Sequence, residues 1–142
     1  MERNELVLAA LAAGGPNASY SPVQLQKLFF LLDNEAAQFL DGPHFNFVPY
    51  DYGPFDRSVY SVIEILKERD LAEITSAGRY RRYELNLNGY SEGLKVLGSL
   101  SPQLQEYMQG LSGWVRSLTF NQLVAAIYNR YPNMKVNSVF VE

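Results

Sequence analysis

Apolar residues return every three or four positions along most of this chain, which is the period of an amphipathic α-helix. The pattern predicts helices over residues 2–13, 21–39, 55–69, 88–97, 101–118 and 119–131. The second of these helices has the widest apolar surface. Its apolar members are Leu25, Leu28, Phe29, Phe30, Leu31, Leu32, Ala36 and Phe39. We therefore expect this helix to lie at the centre of the core.

Capping sequences mark where two of the helices begin. Ser21 and Gln24 have the spacing of a capping box, and Pro22 takes the first helical position between them. Thr119 and Gln122 repeat the capping box before the last helix. The Gly-Gly-Pro sequence at 14–16, the Asp-Gly-Pro sequence at 41–43 and the proline at 132 predict where helices end.

Alternating patterns predict the strands. Residues 71–75 and 79–85 form a hairpin through 76–78, with Tyr83 and Leu85 on one face, and we call this hairpin the wing. Phe45 and Phe47 alternate with polar or small residues and predict a short strand before a turn at 52–54. The tail at 136–141 is apolar enough to dock, for example as an edge strand.

The order of these elements predicts the fold class. A tight Gly-Pro turn, a short helix and a two-stranded wing are the parts of a winged helix-turn-helix domain. We expect a single domain over 1–142, mainly α with a small antiparallel β-hairpin. Its winged-helix core would cover about 20–97, and extra C-terminal helices would cover about 101–142.

Composition narrows the class of protein. Apolar residues make up 47% and aromatic residues 13%, which is ample for a packed core. There is no cysteine, and no apolar run approaches the length of a membrane span. The first residues carry mixed charges instead of a basic signal sequence, so we predict a cytoplasmic protein without a membrane partner. The net charge of −3 argues against a strong general affinity for nucleic acid.

The sequence offers little support for a catalytic site. The one histidine, His44, lies in a Gly-Pro-His loop, so no Ser-His-Asp arrangement can be argued. Metal-ligand spacing is absent, and Gly14-Gly15 lacks the lysine of a phosphate-binding loop. We predict a protein that is not an enzyme and uses neither a cofactor nor a metal.

The wing is the most basic part of the chain. Five of the twelve basic residues lie between positions 67 and 82: Lys67, Arg69, Arg79, Arg81 and Arg82. Tyr80 lies among them and adds a flat aromatic surface. Because alternate strand residues share a face, Arg79 and Arg81 should lie on the side of Tyr83, and Tyr80 and Arg82 on the other. Such a patch suits phosphate, an acidic protein surface or carboxylates within the same fold, and it is also typical of an exposed hairpin that is only solvated.

Two further surfaces are candidates. Opposite the buried stripe of the predicted 55–69 helix lie Arg57, Tyr60 and Ser61, which could contact DNA, contact a protein or only face solvent. Glu64 and Glu68 share that face and would repel phosphate. The aromatic residues Tyr50, Tyr52 and Phe55 belong to a cluster with Phe45 and Phe47. This cluster could hold a partner segment or only fix the loop.

Three short blocks form an ordered set along the chain. They are LQKLFFL at 25–31, YGPF at 52–55 followed by Val59-Tyr60, and YELN at 83–86 before Gly89. Together they resemble the bacterial Panacea and SocA-like antitoxin domains, most closely their small, uncharacterised single-domain relatives. The resemblance spans roughly residues 20–97, and residues 119–138 are similar to the C-terminal helix and tail of those relatives. It implies a winged helical fold and a regulatory role, since several members bind and neutralise a toxin protein encoded beside them.

The leading prediction is therefore a non-catalytic bacterial regulatory binding protein. It would act by direct contact with a protein partner, such as a toxin encoded nearby, through the wing and the loop from Tyr50 to Arg57. The alternative is a sequence-specific DNA-binding regulator that acts as a homodimer. It would place Arg57, Tyr60 and Ser61 in the major groove of double-stranded DNA and Arg79, Arg81 and Arg82 on its phosphates. A second alternative is a structural subunit of a phage-related or defence assembly.

Overall fold

The computed structural model describes residues 1–141, with Ala77 described through its backbone only. The α-helices are α1 (Arg3–Ala12), α2 (Pro22–Glu35), α3 (Ser58–Glu68), α4 (Leu87–Gly98), α5 (Pro102–Ser117) and α6 (Phe120–Arg130). The strands are β1 (Ser19–Tyr20), β2 (Val48–Tyr50), β3 (Gly53–Phe55), β4 (Ala72–Ala77) and β5 (Tyr80–Leu85). Short 3₁₀ turns cover Ala37–Phe39 and Pro132–Lys135. The fold is thus mainly helical with small antiparallel sheets, as predicted.

Helices α1 and α2 form the centre of the core. Residues 6–12 of α1 and 25–32 of α2 are buried on every side. Helix α1 is buried all round because α3, α4 and α5 all pack against it. At Gly93 of α4 an added Cβ would lie 2.4 Å from the carbonyl oxygen of Leu8. Only a residue without a side chain lets the two helices approach this closely.

The larger sheet has the order β1-β5-β4, with both pairings antiparallel. Tyr83 in the central strand β5 pairs with Tyr20 of β1 on one side and Ile74 of β4 on the other. The predicted wing is confirmed as the β4–β5 hairpin, and Tyr83 and Leu85 are buried on one face as expected. Strand β1, only two residues long, was not predicted.

Helix α2 ends four residues earlier than its apolar pattern predicts. The capping box at Ser21 and Gln24 is present, and so is Pro22 in the first turn. At Ala36 the backbone leaves the helical region with φ of −134°, and a single 3₁₀ turn follows. As a result Phe39 is 63% exposed, and Leu40 takes the buried position instead.

The Gly53-Pro54 sequence lies in a strand, and the predicted turn at 52–54 was therefore wrong. Strand β2 pairs with β3, and Pro49 lies opposite Pro54. The turn falls at positions 51 and 52, and the segment containing Phe45 and Phe47 is not a strand. Helix α3 accordingly begins at Ser58 rather than near Phe55. Its four predicted core residues, Val59, Val62, Ile63 and Leu66, are all buried.

The C-terminal helices lie close to their predicted positions. The capping box at Thr119 and Gln122 opens α6, and Leu123, Val124, Ile127 and Tyr128 are buried. The tail docks without forming a strand: the Val139 amide donates to the Asp51 carbonyl at 2.9 Å, and the Phe140 ring lies 6.1 Å from that of Tyr128. None of the helices within residues 1–141 combines the length and apolar character that crossing a membrane requires.

Candidate binding cleft

An apolar cleft of about 620 Å³ opens between the start of α2, the β2–β3 hairpin, the wing and the start of α6. Its volume lies in the range of small-ligand pockets, roughly 300–1,000 Å³. The side chains that define its chemistry are Lys27, Tyr50, Asp51, Tyr52, Phe55, Tyr80, Arg82 and Phe120. The cleft therefore joins the wing and the loop that begins at Tyr50, which are the two surfaces of the leading prediction.

Two polar residues of α2 attach the β3 segment to the helix. Gln26 uses both ends of its amide: Nε2 donates to the Asp56 carbonyl at 2.9 Å, and Oε1 accepts from the Asp56 amide at 2.9 Å. Lys27 Nζ donates to the Pro54 carbonyl at 3.2 Å. The LQKL block and the YGPF block thus contact each other directly, although they lie far apart in sequence.

Asp56 then starts α3. Its carboxylate accepts from the Ser58 amide at 2.8 Å and the Ser58 hydroxyl at 2.6 Å, and from the Asn46 amide at 2.7 Å. Burial opposes the charged carboxylate, but these hydrogen bonds outweigh it and lower the pKa of Asp56. The helix begins at Ser58, because strand β3 runs on through Phe55 and Asp56 holds the first amide of the helix.

Lys27 is the unusual group of the cleft. Its side chain lines the cleft, although the residue is only 3% exposed. Desolvation by burial lowers the pKa of its ammonium from 10.5 to about 7. No Asp or Glu within residues 1–141 forms an ion pair with it. A buried cation with one carbonyl partner lacks most of the compensation that such groups usually have.

Gly53 lies next to the Lys27 amine, where there is little room for a side chain. Its φ of +105° lies in the region that L side chains rarely adopt. An added Cβ would lie 3.4 Å from both Lys27 Nζ and the Tyr128 ring. The backbone of β3 therefore passes close over the amine, with the Tyr128 ring beside it.

Aromatic side chains form the walls of the cleft. Tyr50 stacks on Phe55 with ring centroids 5.0 Å apart, and Tyr52 meets Phe120 edge-on at 5.1 Å. Tyr80, at the tip of the wing, is 66% exposed. Rings that are partly packed and partly open are typical anchors for a partner.

The structure brings together six of the ten predicted contact residues. The six that line the cleft are Tyr50, Tyr52, Phe55, Tyr60, Tyr80 and Arg82. As predicted, Tyr80 and Arg82 share one face of β5. Tyr60 corrects the prediction for α3: it is half-buried, stacks on Tyr83 at 5.7 Å, and does not share the solvent face of Arg57 and Ser61.

The remaining four residues lie outside the cleft. Arg57, the residue before α3, and Ser61, in the first turn of α3, are both exposed. Arg79 lies in the wing turn, where its guanidinium is 5.6 Å from the Tyr80 ring centre. Arg81 lines a shallow depression together with Glu64 and Glu68.

Arg82 is held by β1. Its Nε donates to the Ser19 hydroxyl at 2.9 Å, and a terminal nitrogen donates to the Ser19 carbonyl at 3.0 Å. The wing arginines therefore do not form one continuous basic surface, because each of the three has a different environment. Among these three, Arg82 is the one that lines the cleft.

A second polar cluster lies at the other end of α2. The Glu35 carboxylate accepts from the Tyr107 hydroxyl at 3.0 Å and the Tyr131 hydroxyl at 2.9 Å, and pairs with Arg130 at 3.1 Å. Desolvation and the bond to this carboxylate raise the pKa of both tyrosines to about 12. The cluster joins α2 to α5 and α6.

Lys27 and Gln26 were missed at the sequence level, where they were noted only as part of the LQKL block. Their signal was a polar pair at the start of a run, residues 25–32, whose other members are all apolar. For metal binding, residues 1–141 contain no group of three His, Asp or Glu side chains that could hold an ion. The His44 ring nitrogen Nε2 instead lies 2.6 Å from the Leu40 carbonyl.

Comparison with known proteins adds no family to this description. No protein-family model matches the sequence. No curated protein shows significant similarity to it. The resemblance to Panacea and SocA-like domains stays a prediction that rests on the blocks themselves.

Proposed function

We propose that this chain is a winged-helix protein that regulates a protein partner by direct, non-catalytic binding, in the manner of Panacea and SocA-like antitoxins. The element order supports the fold assignment. Helix α1, strand β1, helices α2 and α3 and the hairpin β4–β5 follow one another, and the sheet order is β1-β5-β4. A winged helix-turn-helix uses a helical core with such a terminal hairpin.

The observation that carries the functional proposal is the composition of the cleft. Its walls are aromatic and its lining is mainly apolar, with few polar groups. Tyr50, Tyr52, Tyr80 and Phe120 each leave much of the ring open to solvent. Interfaces place their strongest contacts at such aromatic anchors. An extended or helical apolar segment of a partner would fill the space between the wing and the β2–β3 hairpin.

The environment of the wing supports protein contact over DNA contact. A DNA-reading surface needs an excess of Lys and Arg along the phosphates. Here Arg81 lies beside Glu64 and Glu68, and Arg82 is bonded to Ser19. Tyr60, one of the three residues assigned to the major groove, is half-buried and stacks on Tyr83, away from the exposed face of Arg57 and Ser61.

The test is co-purification of the full chain with the product of each flanking gene. We expect a stable complex with one of them on size exclusion. The double variant Tyr50→Ala/Tyr80→Ala should weaken it at least tenfold, because each anchor is worth about 1–2 kcal/mol. Leu87→Ala, at an exposed apolar residue of α4 outside the cleft, is the matched control and should bind normally.

Two results would contradict the proposal. One is the absence of a complex with either product, and the other is a complex that the double variant leaves unchanged. If the protein binds double-stranded DNA from the region beside its own gene, and this binding weakens steeply as salt rises, the DNA-binding alternative is favoured instead.

A further inference from the structure

We propose that the cleft selects partner segments that carry an acidic side chain, whose carboxylate pairs with the Lys27 ammonium. This inference rests on the proposed function, because it names the chemistry of the segment that the cleft receives. The occupant is a protein segment with apolar residues for the aromatic walls and one Asp or Glu for the lysine.

The hydrogen bonding of Lys27 is the first support. An ammonium group has three donors. One is used by the Pro54 carbonyl at 3.2 Å, and no other hydrogen bond to Nζ is present within residues 1–141. The residue is almost fully removed from solvent, yet it lines an open cleft. A carboxylate entering the cleft would supply the charge partner that the fold does not.

The charges around the cleft are the second support. Lys27 and Arg82 are cationic, and Asp51 is the one carboxylate among the lining residues. Asp51 is exposed at the turn between β2 and β3. The other ionisable groups of the lining are the phenols of Tyr50, Tyr52, Tyr60 and Tyr80. Tyr128 of α6 adds a fifth phenol, which lies with Lys27 against Gly53. The cleft is thus biased towards cations in a chain whose net charge is −3.

A purely structural role for Lys27 accounts for less of the geometry. Attaching β3 to α2 needs one donor, and Gln26 already makes two hydrogen bonds to the neighbouring Asp56 backbone. A buried amine is an expensive way to add one more bond, since burial penalises its charged form. Its position at the cleft is explained if that charge meets an acid from the partner.

The pairing makes binding depend on pH. The free amine is half protonated near pH 7, since its pKa is about 7. A bound carboxylate favours the ammonium and raises this pKa. Affinity should therefore fall as pH rises above 7, by up to about tenfold per pH unit until the pKa of the bound state is reached.

The experiment is selection of a random dodecapeptide library on the full-length chain, followed by synthesis of the enriched peptides with blocked ends. Blocked ends leave side chains as the source of any carboxylate. We expect enriched peptides to combine aromatic or aliphatic residues with an Asp or Glu. Replacing that acid by Gln or Asn should weaken binding to the wild-type protein at least tenfold at pH 7.

A variant of the protein tests the same pairing by removing the lysine charge. Lys27→Met nearly keeps the length of the side chain and removes the charge. It should bind the acidic peptide and its amide equally, with no dependence on pH between 6 and 9. The acid-to-amide change in the peptide needs no variant protein, and an effect that fades above pH 7 assigns it to Lys27 rather than to Arg82, so the test stands even if Lys27→Met folds poorly.

The outcomes separate this inference from the function on which it rests. Peptides without an acid, or acidic peptides whose amides bind equally well, would overturn the role of Lys27. If such peptides still need Tyr50 and Tyr80, the binding function survives. A library that yields no peptide bound through the cleft would overturn both.

Discussion

Two ionisable residues of α2, eight positions apart, have opposite surroundings. Glu35 receives two tyrosine hydroxyls and an arginine, all within 3.1 Å. Lys27 has one backbone carbonyl at 3.2 Å and no ion-pair partner within residues 1–141. Lys27 is nevertheless the more deeply buried of the two.

The contrast shows which polar group serves the fold. The partners of Glu35 come from α5, α6 and the residue after α6, so its network is a joint between helices, and every member is supplied by the chain itself. At Lys27 the one hydrogen bond goes to β3, and the residue also lines the cleft. A group whose partners are incomplete beside an opening is a candidate binding group.

The largest expected effect is a pH dependence of the free energy of unfolding that comes from Lys27. The folded-state pKa of Lys27 is about 7 and the unfolded value is 10.5. Between these values the unfolded chain binds more protons, so the free energy of unfolding should rise with pH, by about 3 kcal/mol from pH 7 to about 9.5. Urea unfolding at a series of pH values measures this. Lys27→Met should lack the rise, and equal slopes in both proteins would contradict the assignment.

The next effect is the loss of the Glu35 joint. Glu35→Ala leaves two hydroxyls and a guanidinium without their acceptor, and it should cost about 2 kcal/mol of unfolding free energy. The matched control is Glu92→Ala, which removes an exposed pair with Lys95 at 3.4 Å. That change should cost less than about 0.5 kcal/mol. Equal losses in the two variants would mean that the joint adds nothing to an ordinary surface pair.

Much of the fold could be predicted from periodicity and caps. The capping boxes at Ser21 and Thr119 and the buried stripe of α3 are local features, and each is present as predicted. The errors arose where tertiary contacts decide. Phe39 continues the helical period of α2, but the chain turns away at Ala36, so the apolar residue faces solvent.

The prediction for the Gly-Pro segment was wrong for the same reason. Gly53 does have the positive φ that favours glycine, but it lies in strand β3 and not in the turn. Its pairing with β2 and its bonds to Gln26 and Lys27 come from elements that no local pattern connects to it. The strand therefore became visible only in the folded chain.

Only some of the residues that line the cleft could be predicted from the sequence. Exposed aromatic and basic residues stand out in a sequence, and Tyr50, Tyr52, Tyr80 and Arg82 were found in this way. Their meeting in one cleft depends on how the wing folds over α2. Lys27 was not recognised because a lysine within a helix is usually solvated. The informative sign was that Lys27 lies within residues 25–32, where every residue other than Lys27 and Gln26 is apolar.

The smallest effect tests the tyrosines at the Glu35 joint. The pKa of Tyr107 and Tyr131 is about 12, above the ordinary 10, so their hydroxyls stabilise the fold below pH 10 and lose that contribution as pH rises towards 12. Glu35→Gln keeps an acceptor but removes the charge, and both pKa values should fall below those of the wild type. NMR titration of ¹³C-labelled tyrosine, with circular dichroism to confirm the fold, measures them. Unchanged values would assign the shift to desolvation alone, and Glu35 would then be a bystander of the joint rather than its centre.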